Sequence, residues 1–424
     1  MVFFFVCCTT CRRGLPRVGK EQRMDDALVV MAWACGVVIL VWGTLLFYVR
    51  RQLTALWREP VIKHPVLVLE SDDWGAGPLV QAEALEQLRA LLQRHHDGKG
   101  RPAVMTLGVI LEVPDTQAMA KHPDSYLGKD VRAPEYAELR AVMDRGVRES
   151  VFALQLHGQC HYWPASLMAA AGQAPVAAWL YGPPHPRSED LPSWLQSRWT
   201  DASRLPSQAL PADAIAAATA KEAEIWRHVF GRLPAVAVPT TFVWTDAVES
   251  AWASAGIRCA VTPGRRLTRR EADGSPGGVD KLIRNGQRGQ GDILYVVRDA
   301  YFEPALGHAM HDLTAAVLQK WRARRPCLAE IHRFNFLGEE NLQNSLRVLD
   351  GALSNVLKAV PALCFLATEK LADAMRARDP ELIEGAFVPR FKAWLVRIRE
   401  IPRFRKLCLA SGLAVPFALL EHVL

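Results

Sequence analysis

The chain has 424 residues, of which 50% are hydrophobic, and a formal net charge of +7 at pH 7. This hydrophobic share supports a large folded core and excludes an intrinsically disordered protein. The excess of basic residues lies beside an apolar N-terminal segment and near the C-terminus, which favours contact with a membrane surface and argues against a nucleic-acid partner.

The first predicted element is a transmembrane helix at residues 27–49, preceded by an N-terminal tail at 1–26. Its sequence, ALVVMAWACGVVILVWGTLLFYV, has no charged residue and is long enough to cross the hydrocarbon core of a bilayer. The run continues into two arginines and lacks a small-residue cleavage site, so we expect an anchor that is retained. Basic residues flank both ends, and translation from Met24 would favour a cytoplasmic domain, so the charge rule alone does not assign the side.

After a linker at 50–62, short apolar runs alternate with helical patterns over residues 63–375. Continuously apolar strands separated by helices are typical of a parallel sheet covered on both faces, so the pattern predicts an α/β fold. Seven or eight such units predict a (β/α)7–8 barrel, complete or incomplete. The predicted strands are 65–70, 103–111, 151–156, 235–239, 258–262, 293–297, 327–331 and 362–367. The predicted helices are 83–96, 134–146, 211–231, 245–256 and 341–360.

Two further segments have different compositions. Residues 171–210 are rich in proline and aromatic residues without periodicity, which predicts a long loop over one face of the barrel. Residues 376–424 combine basic residues with aromatic and apolar ones. This composition suits a helix in the membrane interface, and it suits equally well a helix packed on the barrel.

Three predicted strands end in side chains that bind metals or transfer protons. The first ends in ESDDWG with Asp72 and Asp73, the third is followed by His157 and His161, and the seventh is followed by His332. Adjacent carboxylates repel unless a cation or a shared proton lies between them. Two histidines four residues apart, with one carboxylate, make a three-ligand metal site that leaves one position for water. Strand ends of a barrel meet on one face, so we expect these groups to lie together.

Each motif alone also has an ordinary structural explanation. ESDDWG could be a capped turn, the histidine pair could be incidental, and His332 could be a hydrogen-bonded core residue. Together, the motifs resemble in order and approximate spacing those of the polysaccharide deacetylase family (the NodB homology domain), over roughly residues 63–370.

The resemblance implies specific roles for these residues. Asp73, His157 and His161 would bind a divalent metal ion, with zinc the best suited, while Asp72 would act as general base and His332 as general acid. The implied reaction removes acetyl groups from N-acetylated sugars of a polysaccharide. Because such glycans lie mostly outside cells, the resemblance also implies an extracytoplasmic catalytic domain on a single-pass anchor.

The sequence departs from the family pattern at two positions. Val238 precedes Pro239 where an arginine that orients the catalytic aspartate is usual, and Gly158 stands where serine or threonine is common. Arg298 or Arg333 could supply the missing guanidinium from another loop. A catalytically silent carbohydrate-binding relative and an O-acetyl esterase therefore remain alternatives to N-deacetylation.

Aromatic residues near the motifs provide candidate sugar-stacking surfaces. These are Trp74, Tyr162, Trp163 and Trp244, which could equally be packing residues of the core or rim. With Arg298 and Arg333 they form the predicted substrate-binding set, and as a group they favour a glycan over a small hydrophilic metabolite.

Overall fold

A computed structural model describes residues 20–182 and 184–423, so most of the predicted tail at 1–26 lies outside the described residues. The described chain forms two compact units. The larger, which we call the barrel unit, spans Ala55–Arg397. The smaller consists of the described residues up to Thr54 together with those from Ile398 onward.

The barrel unit is built on one sheet of nine strands, and every strand is parallel to the strands it pairs with. The strands are β1 (Val66–Gly75), β2 (Met105–Ile110), β3 (Phe152–Leu156), β4 (Val236–Ala237), β5 (Cys259–Thr262), β6 (Leu294–Val297), β7 (Ala300–Tyr301), β8 (Cys327–Glu330) and β9 (Cys364–Phe365). Their order is β6-β5-β4-β3-β2-β1-β8-β7, and β9 also pairs with β1. The predicted α/β fold and all eight predicted strands are confirmed.

A two-residue connection between β6 and β7 joins the two ends of the sheet and closes it into a ring. Strands β6 and β7 stand at opposite ends of the hydrogen-bonded path, yet only Arg298 and Asp299 separate them in sequence. The chain therefore leaves one end of the sheet and enters the other within two residues. Among the described residues β6 and β7 do not pair, so the predicted barrel is present with an incomplete hydrogen-bond ladder.

Helices follow the strands and bury one face against the sheet. For example, the helix Glu339–Ala359 buries Leu342, Leu349, Leu353 and Val356, at the spacing of one helical face. The helices of eight or more residues are α1 (Lys20–Tyr48), α2 (Arg50–Arg58), α3 (Gln81–Leu92), α4 (Ala137–Arg148), α5 (Ala212–Phe230), α6 (Asp246–Ser254), α7 (Met310–Arg322), α8 (Glu339–Ala359), α9 (Thr368–Ala377), α10 (Phe387–Ile398), α11 (Pro402–Ser411) and α12 (Ala414–Val423).

The predicted loop at 171–210 has a small core of its own. It continues a region that begins with the short helices Pro164–Ala169 and Ala174–Leu180. Its buried apolar side chains belong to a cluster that is separate from the main core. That cluster includes Cys160, Leu167, Val176, Trp179, Leu180, Leu191 and Leu195. This segment is therefore a packed insertion after β3 rather than an extended loop.

The predicted C-terminal segment divides between the two units. In the barrel unit, the fully buried Arg397 donates hydrogen bonds to the backbone carbonyls of Glu59, Pro60, Ala323 and Arg324. Residues 376–397 thus belong to the same compact unit as the predicted barrel at 63–375. In the smaller unit, Trp42 Nε1 of α1 donates to the carbonyl of Ser411, 2.9 Å away.

Helix α1 contains the predicted span. Its stretch Met24–Tyr48 is long and apolar enough to cross a membrane, by length and composition. An anchor and a signal sequence share this property.

Candidate active site

A bulge in β1 separates the two neighbouring aspartates. Along β2, Ser71 pairs with Leu107 and Trp74 with Val109, so β1 carries one extra residue at this point. Asp73 takes a left-handed backbone conformation with φ of 74°. Side chains of successive strand residues normally point to opposite faces, and a bulge changes their direction. The bulge therefore gives Asp72 and Asp73 different partners at one end of the barrel.

Asp73 meets the two predicted histidine ligands. His157 and His161 follow β3, and the Nε2 atom of each lies 3.5 Å from Asp73 Oδ1. All three side chains are buried. Two ligands of a tetrahedral zinc ion stand about 3.4 Å apart, given bonds of about 2.1 Å. The structure brings together the three residues expected to bind a metal.

The surrounding backbone fixes the orientation of His157. Its Nδ1 lies 3.0 Å from the carbonyl oxygen of Val238, to which an Nδ1–H can donate. That bond leaves Nε2 free to face Asp73, as a metal-binding histidine requires. Gly158, next in the chain, has φ of 94°, a conformation that glycine adopts without strain. The glycine at this departure from the family pattern thus has a local backbone reason.

The donors themselves fit a cation. Asp73 Oδ1, the oxygen that faces both histidine Nε2 atoms, is buried and has no hydrogen-bond partner within the described chain. Burial lowers the pKa of His161 to about 3, which keeps the ring neutral as metal binding requires. Burial opposes protonation of His157 too, but Asp72 and Asp73 outweigh it and raise its pKa. A metal ion would displace that proton on binding.

Asp72 pairs with an arginine from the opposite end of the sheet path. Arg298, between β6 and β7, donates from Nη2 to Asp72 Oδ2 at 2.6 Å. Its two terminal nitrogens also lie 3.1 Å from carboxylate oxygens of Glu70 and Glu330. Of the two candidate arginines, Arg298 is therefore the one that donates to Asp72. Asp72 Oδ1 remains without a hydrogen-bond partner.

Of its three carboxylate partners, Arg298 lowers the pKa of Asp72 alone below the usual value. Burial would raise the pKa of Asp72, but the guanidinium outweighs burial and holds it below its usual value. Burial dominates at Glu70 and Glu330 and raises the pKa of both. Asp72 is therefore the carboxylate of this trio that is most readily ionised.

Strand β2 leaves space for Asp72 only because residue 108 is glycine. A Cβ atom at Gly108 would collide with Asp72 Oδ1. Any larger residue would displace the carboxylate from its place beside Arg298. Gly108 is thus a positioning residue that the motifs do not include.

His332 lies between two glutamates. Its Nδ1 is 2.6 Å from Glu303 Oε1, and its Nε2 is 3.3 Å from Glu330 Oε1. Burial alone would lower its pKa, but these carboxylates outweigh burial and raise the pKa to about 10. His332 is therefore protonated at neutral pH. With 31% of its side chain exposed, it is also accessible to solvent, in contrast to the almost fully buried Asp72.

Comparisons with known proteins give only structural matches. No protein-family model matches the chain, and no curated protein matches its sequence. A family 4 carbohydrate esterase from Streptomyces lividans is 10% identical with a TM-score of 0.35, over 73% of this chain and 96% of that one. The peptidoglycan deacetylase PdaC from Bacillus subtilis is 11% identical with a TM-score of 0.34, over 75% and 95%.

Two other solved structures have similar scores. A family 4 acetyl xylan esterase from Clostridium thermocellum, in complex with cobalt, is 10% identical with a TM-score of 0.33, over 72% of this chain and 89% of that one. A 4-alpha-glucanotransferase from Thermococcus litoralis is 8% identical with a TM-score of 0.36, over 72% and 40%. Likenesses at such scores do not assign a function to this chain.

Several predicted substrate contacts need correction. Trp74, Tyr162 and Trp244 have exposed fractions of 0%, 1% and 0%, so they pack inside the protein and do not present a ring to a sugar. Trp163 is partly exposed, with the Arg198 guanidinium 5.2 Å from its ring, and remains a candidate sugar contact.

The two predicted substrate-binding arginines are buried as well. Arg298 is engaged with three carboxylates, as described above. Arg333 forms an ion pair with Glu189 at 2.6 Å and so holds the insertion after β3. Both guanidinium groups are therefore occupied by carboxylates of the protein, and of the two only Arg298 pairs with Asp72.

The site contains three glutamates that the sequence motifs did not identify. Glu70 and Glu330 each lie two residues before a predicted site residue, so strand alternation places them on the same face as Asp72 and His332. That signal could have found them. Glu303 offered no such signal, because it reaches His332 from the segment after β7. It is held there by Asn335, whose amide nitrogen donates to Glu303 Oε2.

Proposed function

We propose that the protein is a metal-dependent hydrolase that removes acetyl groups from N-acetylated sugars of a polysaccharide. The observation that carries the proposal is that the two adjacent aspartates have different partners. Asp73 faces two histidine nitrogens, while Asp72 is held by Arg298. This arrangement provides a ligand set and a separate proton acceptor from two consecutive residues.

Asp73, His157 and His161 would hold the metal. A divalent ion there, of which zinc suits the donor set best, supplies Lewis acidity that polarises an acetyl carbonyl and acidifies water. Asp72 accepts the proton of the attacking water on Oδ1, the oxygen that is not bonded to Arg298. Arg298 keeps Asp72 oriented and ionised.

His332 supplies the proton that the departing amine needs. Its raised pKa keeps it in the acid form at neutral pH, and its partial exposure makes it accessible to a bound substrate. An amine is a poor leaving group unless protonated, whereas an ester departs more easily. A protonated histidine near Asp72 therefore favours amide hydrolysis over cleavage of O-acetyl groups.

The presence of Arg298 at Asp72 argues against a catalytically silent relative. Loss of the arginine expected before Pro239 would leave the base unsupported, but the guanidinium from residue 298 forms the same kind of ion pair. The partly exposed Trp163 is consistent with a glycan as the substrate.

We further propose that Met24–Tyr48 anchors the protein in a membrane, with the barrel unit on the extracytoplasmic side where glycans are found. Its length and apolar composition support the anchor. Protease added to intact spheroplasts should degrade the barrel unit, and full protection of that unit would contradict the assigned side.

The test of the activity is acetate release by the purified full-length protein from N-acetylglucosamine oligomers and from an O-acetylated glycan, before and after chelation and zinc addition. Asp72→Asn and His332→Ala should lower N-deacetylation by about 10²- to 10⁴-fold and leave metal content unchanged. His157→Ala and His161→Ala should lose metal, while the exposed His122→Ala serves as a control.

Different results would contradict different parts of the proposal. Full metal occupancy in both ligand variants would mean that the histidines are structural. Metal-loaded protein that releases acetate only from the O-acetylated glycan would replace the amidase by an esterase. Near-normal turnover in Asp72→Asn or His332→Ala would show that the proton-transfer roles belong to other residues.

A further inference from the structure

A polar cavity lies at the amino-terminal ends of the strands, away from the candidate active site. Its volume is about 510 Å³, within the usual range for a ligand pocket. Its lining comes from residues 57–61 before β1, from residues 286–294 at the start of β6, and from residues 375–390. We call it the basic cavity. All of these residues belong to the barrel unit.

The lining of the basic cavity carries an excess of positive charge. Five arginines contribute to it, against one carboxylate, that of Glu384. Glu384 Oε1 accepts the backbone N–H of Ala386. The arginines are Arg58, Arg288, Arg376, Arg378 and Arg390.

Only some of these arginines have protein partners. Arg288 and Arg376 share the carboxylate of Asp292. Arg58 and Arg378 are exposed, and within the described chain no hydrogen bond or ion pair of either side chain is found. The basic cavity thus gathers guanidinium groups that the protein itself does not neutralise.

Arg390 adds an unsatisfied donor at the same place. Its Nη2 donates to the carbonyl of Trp57 at 3.0 Å, and its guanidinium carbon lies 5.0 Å from the centre of the Trp57 ring. Its Nε is buried without a hydrogen-bond partner in the described chain. A buried donor of this kind is costly unless a ligand or water accepts its hydrogen bond.

We propose that the basic cavity binds the phosphate group of an anionic membrane phospholipid. Guanidinium groups form paired, charge-assisted hydrogen bonds with phosphate oxygens, which makes clustered arginines a suitable binding surface. The inference rests on the membrane anchoring proposed above and is independent of the deacetylase chemistry.

The surroundings of the basic cavity favour a lipid over free phosphate. Phe387, beside it in α10, is 65% exposed, and the next residue, Val388, is 45% exposed. The Phe387 ring lies 5.6 Å from that of Trp57, which lines the cavity. Aromatic residues next to basic ones are typical of the interface between membrane and water. Free phosphate would leave this apolar rim without a partner.

The position in sequence points to the same ligand. The apolar stretch of α1 ends at Tyr48, and the lining of the basic cavity begins at Trp57. Only the short helix α2 connects them. In sequence, the first residue of the cavity lining therefore follows the end of the proposed anchor by nine residues.

The experiment uses the full-length protein in a non-ionic detergent. Binding of dihexanoyl phosphatidylglycerol, dihexanoyl phosphatidylcholine and inorganic phosphate is measured by calorimetry. The anionic lipid should bind saturably and more tightly than the other two. Arg58→Gln with Arg378→Gln should weaken it by up to about 25-fold, at up to about fivefold for each exposed ion pair lost. Arg204→Gln with Arg347→Gln, both exposed and outside the lining of the basic cavity, is the charge-matched control.

A measurement on the unmodified protein guards against a misfolded variant. Hydrogen exchange of residues 375–390 should slow with phosphatidylglycerol and not with phosphatidylcholine. Equal binding by the double variant, or no difference in exchange between the two lipids, would overturn the proposal. Inorganic phosphate binding as tightly as the anionic lipid would reject the lipid as the ligand. Release of acetate from soluble oligomers should be unchanged in the double variant, which separates this test from that of the enzyme activity.

Discussion

The role of Glu303 gives the sharpest test of the proposed proton donor. Glu303 Oε1 lies 2.6 Å from His332 Nδ1, and this contact helps raise the pKa of His332 to about 10. Glu303→Gln keeps the size of the side chain and removes its charge. An opposite charge at such a distance shifts a pKa by about one to three units, so the pKa of His332 should fall to roughly 7 to 9.

The sign of the effect follows from the raised pKa. The acid form of His332 is present below its pKa and is lost as pH rises through it. In the unmodified protein the alkaline decline of kcat/KM should therefore lie near pH 10, and Glu303→Gln should move it to lower pH. If the pKa falls to about 8, only about one tenth of the molecules retain the proton at pH 9.

The assay is acetate release from N-acetylglucosamine oligomers between pH 6 and pH 10.5, with metal content determined for each variant. Glu303→Asp, which keeps the charge, should retain much of the alkaline activity. Glu86→Gln removes a partly exposed glutamate that pairs with Arg89 and Arg145, and is the neutral control. An alkaline decline that stays near pH 10 in Glu303→Gln would refute the reasoning.

Three other substitutions test separate features. Gly108→Ala should displace Asp72 and lower turnover by about 100-fold with metal retained, as measured beside Gly172→Ala, whose added methyl would meet no atom within 4 Å. Arg298→Met leaves buried carboxylates without their cation and should cost about 3–5 kcal/mol in urea unfolding. That loss should be larger at pH 8 than at pH 5, and an equal loss at both would contradict the ion-pair explanation. Trp163→Ala should raise KM for long oligomers with little change in kcat, and an unchanged KM would remove Trp163 from the substrate site.

Much of the fold was predictable because it depends on local pattern. Continuous apolar runs located the strands, and helical periodicity located helices such as 341–360, which the structure places at Glu339–Ala359. Helix α7 (Met310–Arg322) was not predicted, and neither was strand β7, which has only two residues. Strand β1 runs past the predicted end at residue 70 because its bulge allows pairing with β2 to continue to Gly75.

The candidate site was predictable only where the side chain itself carries the signal. Asp72, Asp73 and the three histidines were found from residue type and strand-end position. The pairing of Arg298 with Asp72 joins residues 226 positions apart and leaves no trace in local periodicity. Val238 orients His157 through its backbone carbonyl, and the identity of its side chain does not reveal this contact.

The order of the site residues along the chain has a consequence for biosynthesis. The three proposed metal donors, Asp73, His157 and His161, leave the ribosome well before Arg298, Glu303 and His332. A nascent chain could therefore acquire its metal while the proposed acid His332, its partner Glu303 and the arginine that holds Asp72 are still untranslated. Hydrolysis would begin only after the segment from β6 to β8 has joined β1, so translation itself delays activity until the ring is closed.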